Sequence, residues 1–366
     1  MALQVQFHAI DALVAELYPG WRVDSVQSLR PEASAGADTT AKAMGYGEPL
    51  EIVIRSADGD QIDRLVLHTA AWNEYGHDRR ADRAEAMLLA FDSYGSIPGH
   101  VRAIDVGAIS PAGDMRSLRD SGEFYLLTDY APGDEYATDL RALARRGSAS
   151  YTDLARCKRL ADYLAVLHHE RGGSHSQYAR AIRDLVGHGE GIYGLVDGYP
   201  PDTPGAPPER LRRIEQLCAD YRWKLRDKSS RLAKIHGDFH PFNILFDDDD
   251  GIVLLDASRG CRGDPADDVI CLAINYIFFA LDAPTTWRLG FGILWHRFLN
   301  TYLERTGDSE LLVATPPYLA WRALVLANPN WYPNLTEGSR HRLLTWVEKV
   351  LDVGRLDPEA AEELFQ

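Results

Sequence analysis

The chain has 366 residues, 45% of them hydrophobic, and a formal net charge of −15 at pH 7. That size and apolar content can supply a substantial core and favour two lobes over one, while the acidic balance argues against a nucleic-acid partner, because binding a phosphate backbone needs a basic surface. The same charge suits a cationic substrate, and it equally suits a surface whose acids serve solubility alone.

The first twenty residues lack a basic start and interrupt their apolar positions with His8, Asp11 and Glu16, so they read as an amphipathic helix and not as a secretory signal. Short apolar runs at 22–29, 50–56 and 61–69 predict strands, with Asp58-Gly59 as the turn between the last two. Helical periodicity over 80–93 places Ala81, Ala84, Leu88 and Leu89 on one face. Two further strands are expected over 101–108 and 124–130, giving a sheet of about five strands. From 137 onward helical patterns dominate, broken at 187–208, where glycines and prolines crowd into a loop, and resumed at 209–228. The apolar stretch 269–281 is too short to span a bilayer and contains Asn275, so it reads as a buried helix, and no membrane role is implied. Cys157, Cys218, Cys261 and Cys271 show neither CxxC pairing nor metal-ligand spacing, which suits a reducing compartment, with cytoplasm as the default.

The most informative segment is 235–258, IHGDFHPFNILFDDDDGIVLLDAS. Phosphoryl transfer asks a protein to position a hydroxyl and neutralise phosphate charge. Asp238 suits the first task by accepting a hydrogen bond from the attacking hydroxyl. Five residues later, Asn243 offers an amide oxygen suited to Mg²⁺. Two apolar runs, 244–246 and 252–255, flank Asp247 to Gly251 as a hairpin would. Folding it brings Asp256 back beside Asn243 to share a metal site. Taken singly, each residue is an ordinary turn former or cap, and the acidic run 247–250 is a solvated hairpin tip.

HGDFHPFN followed by LLDAS resembles the aminoglycoside phosphotransferase and choline kinase branch of the protein-kinase-like fold. FYLLTDYAPG at 124–133, LADYLAVLHH at 160–169 and GDPADDV at 263–269 follow the order of that branch's hinge, pre-catalytic helix and post-metal segment. The resemblance implies an α+β, bilobal fold: a small N-lobe, 1–127, with an antiparallel sheet and one main helix; a hinge, 128–136; and a larger, mostly helical C-lobe, 137–366, whose helical insert at about 176–228 helps to build the acceptor pocket. It also implies ATP as donor, with GTP the alternative, and Mg as the metal. The hinge, including Thr128 and Tyr130, would take the adenine through backbone groups.

The N-lobe departs from the pattern. The strand-three lysine is replaced by His68, for which Glu85 on the helix is the expected partner, with Lys42 from the preceding loop as the competing phosphate contact. The loop 30–49 does not spell GxGxxG, although its small residues, Ser34 and Gly36 among them, would let backbone N–H groups approach phosphates. His236 opens the catalytic loop and is assigned with Asp238 to the catalytic set, as a buttress. A zinc site built from His168, His169, His236 and His240 is disfavoured, since HExxH is absent. Asp264, Asp267 and Asp268 read first as caps of a helix start, with one aspartate of the GDP segment steadying the catalytic loop as the second reading. Trp331 and Tyr332 either line the acceptor site or pack at a turn.

The expectation is an ATP-dependent O-phosphotransferase acting on a hydroxyl of a small molecule, aminoglycoside-like or another amine, as a monomer or homodimer without nucleic-acid or membrane partners. A nucleotide-binding pseudokinase, prompted by the missing lysine, is the first alternative; nucleotidyl transfer is the second.

Overall fold

The structure is a computed structural model that describes residues 6–29, 49–257, 259–281 and 283–366. Its contacts divide the chain into two compact units, 1–128 and 129–366. Ser34, Gly36 and Lys42 lie outside the described residues.

In the first unit, helix α1 (Phe7–Leu17) precedes strands β1 (Trp21–Ser28), β2 (Leu50–Ser56) and β3 (Ile62–Leu67). They pair antiparallel in the order β1-β2-β3. Ile10 and Val14 on one face of α1 meet Val23, Ile52 and Ile54 of the sheet, which explains the amphipathic pattern of the first segment. Asp11 fastens the helix to the sheet by accepting from the Val23 N–H at 2.8 Å. The β2–β3 turn uses Gly59 at φ 81°, as the Asp-Gly pair predicted.

Helix α2 (Arg80–Tyr94) follows, and then a short hairpin of β4 (Gly107–Ile109) and β5 (Met115–Ser117). Two expectations fail here. The predicted strand 101–108 survives only at its end, and 124–130 forms no strand. Its side chains are exposed, Leu126 and Leu127 at 88% and 87%. An apolar run supplies side chains that suit a strand, but a strand exists only where a neighbouring edge accepts its backbone bonds.

The second unit opens with β6 (Asp134–Glu135) and is built mainly from helices: α3 (Tyr136–Arg146), α4 (Tyr151–Leu167), α5 (His175–Gly187), α6 (Ile192–Asp197) and α7 (Pro208–Leu225). Helix α6 sits inside 187–208, where a loop was expected: the burial of Ile192 and Leu195 outweighs the weak helix propensity of its glycine. Strands β7 (Ala233–Lys234), β8 (Ile244–Phe246), β9 (Ile252–Leu254) and β10 (Arg262–Gly263) surround the central motif. After them come α8 (Ala266–Leu281), α9 (Gly292–Thr306), α10 (Leu311–Ala314), α11 (Pro316–Ala327) and α12 (Glu337–Val353).

Helix α8 begins behind Asp264-Pro265 and carries Asp267 and Asp268 in its first turn, where their charge complements the helix dipole. Nearly all of its residues are buried, among them Val269, Ile270 and Tyr276, in the main core with Trp295 and Phe298 of α9 and Leu324 of α11. Among the described residues no helix is long and apolar enough to cross a membrane. All four cysteines are free.

Candidate active site

The expected hairpin forms as read. Strands β8 and β9 pair antiparallel, Ile244 opposite Leu254 and Phe246 opposite Ile252. Just beyond the ladder, the Leu255 N–H donates to the Asn243 carbonyl at 2.9 Å, which brings Asp256 alongside Asn243. At the tip, Asp247 Oδ1 accepts from the Gly251 N–H at 2.6 Å. The acidic run is not merely solvated: Asp250 Oδ1 accepts from Arg156 Nη2 at 2.6 Å, and Arg156 also donates to Asp139 at 2.7 Å and lies 4.4 Å from the Phe246 ring. The hairpin is thereby pinned to α3 and α4.

The loop that carries Asp238 is held from beneath by α8. Asp268, fully buried, accepts from the backbone N–H of His236 at 2.7 Å and of Gly237 at 2.8 Å, and it pairs with His168 Nε2 at 3.1 Å. Burial alone raises the Asp268 pKa; His168 and the two backbone donors outweigh it and bring the pKa below the usual range. Asp264 has a different task. It caps α8 at the Ala266 N–H (2.9 Å) and takes two bonds from the buried Arg231. The steadying aspartate is therefore Asp268. Gly237 itself adopts φ 84°, and a Cβ there would stand 3.2 Å from the Gly260 carbonyl, so the turn before Asp238 requires glycine.

His236 is a buttress: its Nδ1 accepts from the Asp238 N–H at 3.2 Å, and its ring meets Phe239 edge-on. The two oxygens of Asp238 then have unlike neighbours. Oδ1 accepts from Arg259 Nη2 and Arg322 Nη1, both at 2.8 Å. Oδ2 faces Asn243 Nδ2 at 3.3 Å and His240 Nε2 at 3.5 Å. Burial pushes the Asp238 pKa up, but the charges of Arg322 and Arg259, and the Arg259 hydrogen bond, bring it down to about 2. Burial is likewise the main reason that the His240 pKa lies below its ordinary value.

Asn243 donates through Nδ2 to Asp238, which leaves its amide oxygen without a donor among the described residues. Asp256 is exposed and holds a left-handed backbone, φ 51°, unusual for any residue but glycine. Asn243 and Asp256 thus offer an amide oxygen and a carboxylate on adjacent segments, donor types that hard divalent cations take. Among the described residues the one group of three His, Cys, Asp or Glu side chains in mutual ligand range is His296, Glu359 and Glu362; His168, His169, His236 and His240 form none.

The nucleotide residues expected in the first unit fare differently. His68 follows β3 and is exposed, Glu85 is exposed on α2, and no ion pair joins them. The reason is that α2 buries none of its residues, and Glu85 stands exposed beside Ala81 on its surface, so burial forces no partner on it. Thr128 and Tyr130 are exposed. Trp331 is 65% exposed, whereas Tyr332 is half-buried and packs edge-on against Phe278 at 4.8 Å. Burial first, then the neighbouring Cys271 and Asp238, raise the Tyr332 pKa.

Arg259 and Arg322 escaped the sequence reading, and Asp267 was read only as an acid at a helix start, without its bond to Arg322. One signal was present: Arg322 is the single charged residue of the apolar helix PPYLAWRALVLA, and a buried charge needs a partner. A model of the phosphotransferase enzyme family matches residues 112–307, more than half of the chain and the whole of segment 235–258. The chain belongs to that family.

No curated protein matches the phosphotransferase significantly. Among solved structures it is similar to aminoglycoside phosphotransferase APH(3'')-Id from Streptomyces rimosus, at 19% identity over 88% of this chain and 99% of that one, TM-score 0.36. It is also similar to choline kinase from Cryptosporidium parvum, at 12% identity over 98% and 93%, TM-score 0.33. A third is macrolide 2'-phosphotransferase MphH from Brachybacterium faecium, at 17% identity over 98% of each, TM-score 0.28. A phosphotransferase of this kind implies ATP and a divalent metal in general.

Proposed function

We propose that the phosphotransferase is a small-molecule kinase that moves the γ-phosphate of ATP to an alcohol, with Asp238 orienting the acceptor hydroxyl. The observation that supports this best is the asymmetry of Asp238: Oδ1 is engaged by two arginines, whereas among the described residues Oδ2 has only the long approaches of Asn243 and His240. Oδ2 is thus the atom able to accept a bond from a hydroxyl. As the acceptor oxygen bonds to the γ-phosphorus, the bond from that phosphorus to the ADP oxygen breaks, ADP leaves, and the hydroxyl proton passes by way of Asp238 to solvent. A carboxylate with so low a pKa is a weak base, which fits a loose transfer in which the proton moves late.

Asn243 and Asp256 would hold the divalent ion, Mg in this proposal, which when bound neutralises phosphate charge. His236 fixes the backbone of Asp238. For the acceptor we favour an amine-bearing alcohol, supported by the net charge of −15. Arg259 and Arg322 do not oppose this, since Asp238 and Asp267 balance them. Tyr332, close to Asp238, is the better of the two aromatic candidates for lining the acceptor site. The absence of a lysine where His68 stands favours one rival, a nucleotide-binding regulatory module without turnover.

The test is ADP release from Mg-ATP across a library of amino alcohols and sugars, with Asp238→Asn as control. Acceptor-stimulated release that Asp238→Asn lowers by about a hundredfold or more supports the reading. Binding of ATP without product from any acceptor favours the regulatory module, and full turnover in the variant removes Asp238 from its role.

A further inference from the structure

We propose that Arg322 is a positioning residue for the transfer step: anchored by Asp267, it holds Oδ1 of Asp238 so that Oδ2 alone is presented to the acceptor. The inference rests on the reading of Asp238 given above.

Arg322 sits on α11, and its side chain is 9% exposed. Nη1 donates to Asp238 Oδ1 at 2.8 Å, and Nη2 donates to Asp267 Oδ1 at 2.8 Å and to the Gly237 carbonyl at 3.1 Å. It therefore grips the side chain of Asp238 and the backbone just before it, using a carboxylate from the first turn of α8 as a fixed point. Arg259 reaches the same two acceptors from the segment after Asp256. A carboxylate held at one oxygen by two charge-assisted bonds cannot turn about its Cβ–Cγ bond without losing both.

Both guanidinium groups also lie over the Trp321 ring, at 4.0 Å for Arg322 and 4.6 Å for Arg259. Trp321 is in turn fixed by its Nε1–H, which donates to the Glu190 carbonyl at 2.8 Å. Stacking on an aromatic face restricts a guanidinium in a way that an ammonium would not reproduce. Were Arg322 only a structural bridge, Asp267 would satisfy its charge; the bond to Asp238 ties it to the reacting side of the loop.

The experiment uses the full chain with Mg-ATP and water as the acceptor, read as ADP release, and compares wild type, Arg322→Gln, Arg322→Lys, Asp267→Asn and Asp238→Asn after thermal melts establish folding. Arg322→Gln should lower kcat at least tenfold with KM for ATP within twofold. Arg322→Lys should recover only part of kcat, since an ammonium cannot bridge Asp238, Asp267 and the Gly237 carbonyl as the guanidinium does. A folded Arg322→Gln enzyme with kcat within twofold of wild type overturns the inference. If Arg322→Gln does not fold, Asp267→Asn decides: a fall in kcat at constant KM supports the anchor, and an unchanged kcat overturns it. Should Asp238→Asn turn over normally, the reading of Asp238 falls first; should it be inactive while Arg322→Gln matches wild type, only the present inference falls.

Discussion

The Asp268 carboxylate accepts the backbone N–H of Gly237 at 2.8 Å, so the first turn of a buried helix holds the loop that presents Asp238. This is tertiary positioning by a charge that never faces solvent. It links the stability of the fold to the geometry of the site, because the loop has no regular ladder of its own.

Replacing Asp268 by Asn should therefore destabilise the protein by about 3–5 kcal/mol, the scale for breaking a buried charged network. It should abolish turnover as well. An amide has one oxygen to offer two N–H donors, and its NH₂ would confront the other. The pH dependence follows from the sign of the shift. The Asp268 pKa is lowered by folding, so its contribution is complete above the unfolded value of 3.8 and fades as pH falls through the folded value. Urea melts of wild type and variant should differ most near neutrality and converge in acid; a constant gap would show that ionisation of Asp268 is not the source.

Asp256 presents the opposite balance. Its left-handed backbone, φ 51°, costs about 1–2 kcal/mol for a residue with a Cβ, and its side chain is exposed. Asp256→Gly should leave stability equal or higher by about 1 kcal/mol, while ADP release at saturating ATP falls by at least a hundredfold and requires more Mg²⁺. Loss of stability together with activity would mean that Asp256 serves the fold and not the proposed ion.

Gly133 gives a third test. It lies just before β6 at φ 134°, and a Cβ there would stand 2.8 Å from the Phe246 carbonyl, an atom of the hairpin backbone that cannot step aside. Gly133→Ala should cost about 2–4 kcal/mol, from strain together with the clash. A denaturation midpoint unchanged from wild type would show that β6 and β8 separate freely.

Local chemistry was legible in the residue order. The hairpin of β8 and β9, the approach of Asp256 to Asn243, the β2–β3 turn at Gly59 and the buried helix α8 all follow from contacts between residues close along the chain, where turn type and apolar period leave few alternatives. The acidic tip was legible as a turn, but its grip on Arg156, from a helix far earlier in the chain, was not.

Side-chain partnerships across the fold followed no such period. Helix packing placed Arg322 on Asp238 across 84 residues, assigned Asp268 and not Asp264 to the loop that carries Asp238, and left Glu85 without His68. Ion pairs carry no spacing rule, because their partners meet only after buried faces have chosen their neighbours. Hydrogen bonds between near residues can be read from order alone, whereas the neighbours of a buried charge are set by how the core closes around it.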